Sequence, residues 1–258
     1  MSVVLLEQRG RVALITLNRP DSQNSFNDEL RAGLLAALRS AAADAAVGAV
    51  VLTGAGRAFS AGADLKATAT VDGREVERQI NDEYGASLRE IARMPKPVIA
   101  AVGGLMSGIG ASFALICDLV VMGEGAYFQV PFLKIGLVPD GGLHWLLTDR
   151  VGHRRAFELA MSGERVPATR CLEWNLVNRL VPDGEVVNSA VAWAEQLCDV
   201  APIALAYTKQ LLRSAPAMGY EQTIREEARL QAPCIDSEDF REGVAAFREK
   251  RAARFTGK

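Results

Sequence analysis

The sequence predicts an α/β fold with a helical C-terminal extension, and three observations carry that expectation. Short runs of β-branched and apolar residues recur through the first half, at Val12–Leu17, 49–53, Val98–Val102 and 119–122, with helical patterns between them. Beyond residue 143 the pattern is helical almost throughout, and strands alternating with helices followed by helices alone indicate this class. The chain has 258 residues, of which 49% are hydrophobic and 23% charged, enough to bury a full core and far from the composition of a disordered chain.

Taken in order, residues 3–7 and Val12–Leu17 read as two strands joined at Gln8-Arg9-Gly10. Asn18-Arg19-Pro20-Asp21 breaks the pattern, because proline lacks a donor and restricts its predecessor. Leu30, Leu34, Leu35 and Leu38 recur at helical spacing after Asn27, a good N-cap. A buried strand at 49–53 leads into the loop 54–65. Residues 66–80 are polar without firm periodicity, which suggests a mobile segment. Tyr84, Leu88 and Ile91 mark a helix that stops before Pro95-Lys96-Pro97. The strand Val98–Val102, a turn at 103–107, a helix from about Gly108, the strand 119–122 and a short strand at Tyr127-Phe128 follow.

From Pro97 to Cys117 no residue is charged, a length that would span a bilayer. Four glycines (Gly103, Gly104, Gly108 and Gly110) cut it into pieces, so a buried strand, a turn and a buried helix explain it better, and no membrane partner is expected. The N-terminus lacks the pattern of a signal peptide.

Composition narrows the function classes. Lys and Arg number 29 against 31 Asp and Glu, so the basic excess of a nucleic-acid binder is missing. A phosphate-bearing small ligand needs only a few local cations. Cys117, Cys171, Cys198 and Cys234 stand far apart with no CxxC pair, which points to reduced thiols and a cytoplasmic protein. With His144 and His153 the only histidines, a multi-histidine metal site has no material. No GxGxxG fingerprint, Walker motif or GxSxG elbow is present. Two glycine-rich loops do follow buried strands, Ser60-Ala61-Gly62-Ala63-Asp64 and Gly104 to Gly110. Small residues let a ligand approach the backbone, whose free N–H groups can bind a developing oxyanion; the plainer reading is that they only permit tight turns.

Asn18-Arg19-Pro20, the stretch from Gly56 to Leu65 (GRAFSAGADL), Pro95-Lys96-Pro97-Val98-Ile99-Ala100-Ala101-Val102 and Cys117-Asp118 resemble the crotonase superfamily, the enoyl-CoA hydratase/isomerase group. The resemblance spans nearly the whole chain. It implies a spiral of ββα repeats over residues 1–195, a helical C-terminal trimerisation region over 196–258, a homotrimer or hexamer, and an acyl-CoA thioester substrate with no separate cofactor.

Carried over by position, the oxyanion donors would be the N–H groups of Ala63 and Ile109. The two glutamates that activate water in the family's hydratases are replaced by Ser112 and Phe132, neither of which can serve as a carboxylate base. Asp140, in Gly136-Leu137-Val138-Pro139-Asp140-Gly141-Gly142, falls on the family's active-site loop and resembles the base of the ring-1,2-epoxyphenylacetyl-CoA isomerase-like branch. A single base suits isomerisation, which removes a proton at one carbon and returns it at another. Without the resemblance, Pro-Asp-Gly is ordinary turn chemistry.

For the substrate, the resemblance implies contacts from Ala61, Asp64, Leu65, Lys66 and Arg19 near the first loop. Phe132 and His144 would lie at the acyl pocket, and Phe247 and Lys250 would reach the CoA moiety of a neighbouring subunit. Each of the charged residues can equally be a solvated surface charge. The leading expectation is an enoyl-CoA double-bond isomerase. Alternatives are a hydratase with non-standard water activation and a non-catalytic acyl-CoA-binding protein of the same fold.

Overall fold

A computed structural model describes residues 2–68 and 72–258. Ten strands and eleven α-helices follow one another among these residues. They are β1 (Val4–Arg9), β2 (Val12–Leu17), α1 (Asp28–Ala43), β3 (Ala49–Gly54), β4 (Ala58–Ser60), α2 (Leu65–Thr68) and α3 (Gly73–Arg78). A π-helical turn, Gln79–Tyr84, runs into α4 (Gly85–Arg93). Then come β5 (Val98–Val102), β6 (Leu105–Ser107), α5 (Ile109–Ile116), β7 (Leu119–Gly123), β8 (Tyr127–Gln129), α6 (Leu143–Ser162) and β9 (Val166–Pro167). The chain closes with α7 (Ala168–Glu173), β10 (Arg179–Val181), α8 (Val186–Cys198), α9 (Pro202–Ser214), α10 (Tyr220–Asp236) and α11 (Glu238–Glu249).

The strands form two sheets, ordered β1-β2-β3-β5-β7-β10 and β4-β6-β8-β9. Each turn of the spiral gives one strand to the large sheet and the next, three-residue strand to the small one: β3 then β4, β5 then β6, β7 then β8. Pairing within these series is parallel, with Val50 beside Val98, Ile99 beside Leu119 and Met106 beside Phe128. Alternate residues of the large sheet face opposite cores. Val12, Leu14, Val51, Ile99 and Val121 pack against Val186, Ala190 and Ala194 of α8. Ala13, Ile15, Leu52, Ala100 and Met122 face the larger core with α1, α4 and α5. Burial on both faces is why these strands read as uninterrupted apolar runs.

Asn27 caps α1, its side-chain oxygen accepting from the Leu30 N–H at 3.0 Å. Several sequence expectations need correction. The loop 54–65 contains β4, the turn 103–107 contains β6, and the helical second half contains β9 and β10. Strands of two or three residues are too short to show a period, and their pairing is set by the neighbouring turn of the spiral. In the segment 66–80, α3 begins under an Asp72 cap; residues 69–71 lie outside the described ones. Position 195 falls within α8, which continues to Cys198.

Asp118 fastens the C-terminal helices to the spiral. Its carboxylate accepts from the Val98 N–H at 2.8 Å and pairs with Lys209 and Arg213 of α9, each at 2.7 Å. Lys209 also donates to the carbonyls of Ile91 and Lys96. Cys117, next in line, is buried, and burial pushes its thiol up to about 12. Among the described residues no helix is long and apolar enough to cross a membrane.

Candidate active site

The first glycine-rich loop is shaped by buried polar groups. The Asn24 side-chain amide donates to the carbonyls of Ala55 and Ala58 at 2.9 and 2.7 Å, and its oxygen accepts from the Arg19 N–H at 2.8 Å. Ser60 donates to the Asn24 carbonyl at 2.8 Å and accepts from the Gly62 N–H at 3.2 Å. The Phe26 N–H donates to the Gly62 carbonyl, and the Asp64 N–H to the Phe26 carbonyl, at 2.7 and 3.0 Å. In that parallel bridge the N–H of Ala63 itself points away from Phe26.

The second glycine-rich loop leads into Gly108, the N-cap of α5, which has no side-chain cap. Ile109 opens the helix, and first-turn N–H groups have no partner within it. The two loops meet backbone to backbone. Gly62 has φ 104°, and a Cβ there would stand 3.2 Å from the Ser107 carbonyl oxygen and 3.3 Å from the Gly108 Cα. Only glycine meets both conditions.

The third piece is the turn before α6. The Ser112 hydroxyl donates to the Asp140 carbonyl at 3.0 Å. Gly141, at φ 62°, lies so close to α5 that a Cβ there would be 2.3 Å from the Ile109 Cδ1. A cavity of about 130 Å³ opens between these pieces, lined by Ala61, Gly62, Ala63, Gly108, Ile109 and Asp140. Leu65, Val76, Ile80, Phe132, Ile135 and Leu137 make the rest of its wall mainly apolar.

Asp140 stands out in this wall. Its Oδ1 is buried and has no hydrogen-bond partner. Burial pushes its carboxyl up from 3.8 to about 6, with only its own backbone acting the other way. Among the described residues it forms no ion pair. A carboxyl poised near neutrality in the wall of a mainly apolar cavity can take up and return a proton.

The other residues singled out from sequence divide into three groups. Ala61, Ala63, Leu65, Ile109, Phe132 and Asp140 share the cavity wall. Arg19 and Asp64 form an ion pair at 3.0 Å beneath the first loop, and Arg19 also donates to the Ser25 carbonyl. Burial opposes the ionisation of Asp64, but the Arg19 bond and the Lys66 N–H hold it below the usual carboxylate range. Lys66 is exposed beside this loop. His144 is exposed on the first turn of α6 and is not among the cavity-lining residues. Phe247, 84% exposed on α11, and Lys250, its C-cap, also lie outside the cavity wall of this chain.

Sequence reasoning missed Gln79 and Tyr84 as wall residues. In the sequence Tyr84 reads only as one apolar position of a helix. The extra residue of a π-helical turn breaks helical spacing, and such turns often mark functional sites, so the weak periodicity around residue 80 was the available signal. Tyr84 is buried; burial, opposed by Arg31 and reinforced by the Asp140 charge, pushes its hydroxyl up to about 12.

Residues 7–258 match the family model described as Enoyl-CoA hydratase/isomerase. The chain is 36% identical over 261 residues to the 1,2-epoxyphenylacetyl-CoA isomerase of Escherichia coli, covering 100% of both chains. It is 40% identical over 252 residues to a putative enoyl-CoA hydratase of Thermus thermophilus, covering 96% of this chain and 98% of that one. An enoyl-CoA hydratase structure from Geobacillus kaustophilus superposes with a TM-score of 0.94 at 34% identity, over 99% of this chain and 98% of the other. With two glycine-rich loops closed on a carboxylate-bearing cavity in a two-sheet spiral, the chain belongs to the enoyl-CoA hydratase/isomerase family of the crotonase superfamily.

Proposed function

We infer that this enzyme is an enoyl-CoA double-bond isomerase in which Asp140 is the base. The observation that carries the reading is the buried, unpartnered carboxyl oxygen of Asp140 in the same cavity wall as Ala63 and Ile109. The thioester oxygen of a 3-enoyl-CoA sits between the N–H groups of Ala63 and Ile109. Asp140 takes a proton from C2, and the electron pair left behind spreads over the dienolate and the thioester oxygen. Each backbone donor lowers the barrier by roughly 2.7–4 kcal/mol, because it is already aimed where charge develops. The protonated Asp140 then delivers the same proton to C4, the double bond moves to C2–C3, and the carboxylate is regenerated. No water is consumed, which suits a site with Ser112 and Phe132 where hydratases of the family carry glutamates.

A second reading is hydration of a 2-enoyl-CoA with non-standard water activation; the Thermus relative is named a putative enoyl-CoA hydratase. Offering the enzyme 3-enoyl-CoA and 2-enoyl-CoA separately distinguishes the two. Isomerisation predicts a gain of conjugated-enoyl absorbance from the 3-enoyl substrate and slow loss from the 2-enoyl one. Fast loss from the 2-enoyl substrate, with a hydroxyacyl product by mass, would replace isomerase with hydratase.

A further inference from the structure

The π-helical segment places Tyr84 in the wall of the cavity that Asp140 lines, and the group behind it is unusual. Arg31 sits on the inward face of α1 and is only 5% exposed, an expensive place for a charge unless it is paired. It pairs with Asp28 at 2.7 Å and with Glu83, the residue before Tyr84. Glu83 also binds Arg78 at 2.5 Å, and Arg78 binds Glu75 at 2.6 Å, so the segment is tied to α1 by a chain of ion pairs. Phe26 edges onto the Tyr84 ring at 5.8 Å between centroids. Ring and backbone are therefore fixed, and the Arg31 guanidinium donates to the Tyr84 hydroxyl at 3.5 Å.

That direction of donation matters. Arg31 has no lone pair to offer, so the hydroxyl oxygen is the acceptor there and its proton remains free for another acceptor. Asp140, with its unpartnered Oδ1, lies in the same wall. We propose that Tyr84, anchored by Arg31, is a positioning residue for Asp140, whose carboxylate swings towards the fixed Tyr84 hydroxyl and accepts its proton in a hydrogen bond whenever Asp140 is ionised. The donor fixes which carboxylate oxygen is left to reach the substrate, and it stabilises the charged form before each proton abstraction. The tyrosine keeps its proton throughout, since burial and the neighbouring carboxylate both oppose its ionisation.

The surroundings of Asp140 are otherwise quiet. Arg31 and Glu83 lie behind Tyr84 and compensate one another. On α5 the nearest polar group is Ser112, which does not titrate. Asp64 is paired with Arg19, Lys66 is exposed, His144 is exposed on α6, and Lys134 lies along Gly163.

This proposal rests on the reading of Asp140 as base, and the test separates the two. The 13Cγ resonance of Asp140, identified by its loss in Asp140→Asn, is titrated in the parent and in Tyr84→Phe. Loss of a hydrogen bond to the charged form should raise the midpoint by about one to two pH units. The acid limb of the isomerase kcat profile should move with it while KM stays put. Replacing Tyr84 by 3-fluorotyrosine keeps the fold, makes the hydroxyl a stronger donor and should lower the midpoint. In the Asp140→Asn background Tyr84→Phe should cost no further rate. An unmoved midpoint in both Tyr84 variants, or an undiminished rate loss in the Asp140→Asn background, overturns the role of Tyr84. Full isomerase activity in Asp140→Asn instead overturns the base assignment, and the resonance still reports on Tyr84.

Discussion

The hydroxyl of Ser112 donates to the main-chain carbonyl of Asp140 at 3.0 Å, across 28 residues of sequence. Ser112 is thus committed to holding the turn that carries the Asp140 carboxylate. The same carbonyl accepts from the Leu143 N–H at 3.1 Å, which starts α6. Two donors on one oxygen hold the turn that carries Asp140.

Removing that bond has a defined cost. Ser112→Ala should lower stability by about 1 kcal/mol, the net worth of one hydrogen bond, measured by denaturant unfolding. Isomerase kcat should fall by about tenfold with KM little changed, because small misplacements of a catalytic group are expensive.

Asp140→Asn keeps the shape of the side chain and removes the carboxylate proposed as base, so on the isomerase reading kcat should fall by roughly 10²–10⁴. Affinity for a CoA ester should change little. Stopped kinetics with 3-enoyl-CoA and a binding titration check the two halves of this expectation.

The same substitution should alter stability in a pH-dependent way. The Asp140 carboxyl is raised from 3.8 to about 6 by burial, so the folded state favours its neutral form. That contribution is fully present below the unfolded value and is lost as pH rises through the folded one. A rise of about two units corresponds to up to about 3 kcal/mol. Asp140→Asn should therefore melt above the parent at pH 8 and lose that advantage as pH falls through 6 towards 4, as followed by calorimetry.

Ile109→Pro removes the second N–H donor while leaving the first helical position, where proline is tolerated. Turnover should fall by about 10²–10³, with circular dichroism unchanged. Normal turnover in a folded Ile109→Pro protein would remove Ile109 from the oxyanion site.

Asp118→Ala leaves Lys209 and Arg213 without their carboxylate. With the Lys209 side chain only 8% exposed, the loss should reach about 3–5 kcal/mol and detach α9 from the spiral, read as early hydrogen exchange there.

The C-terminal helices leave Leu212 and Phe247 70% and 84% exposed, with Tyr220 and Ile224 also open. Leu230, by contrast, is already covered within the chain. We expect these faces to close against other copies in a trimer or hexamer, and sedimentation showing a stable monomer at micromolar concentration would contradict that.

The sequence by itself determined the long elements and the chemistry of the loops. Val12–Leu17 and Val98–Val102 were legible to the residue because an apolar run buried on both faces is written wholly in its own side chains. Asn27 announced α1 because capping is local. Asp140 was legible only through its loop, and sequence left it divided between base and turn residue. The tertiary structure decided what depends on distant partners. It supplied β4, β6 and β10, which exist because a neighbouring turn of the spiral offers them an edge. It brought Gly62 against Gly108, and Ser112 against Asp140, by close backbone packing that no local period encodes. It also gave Asp140 its raised carboxyl and Tyr84 its place in the wall, because desolvation belongs to the assembled cavity and to no single segment of the chain.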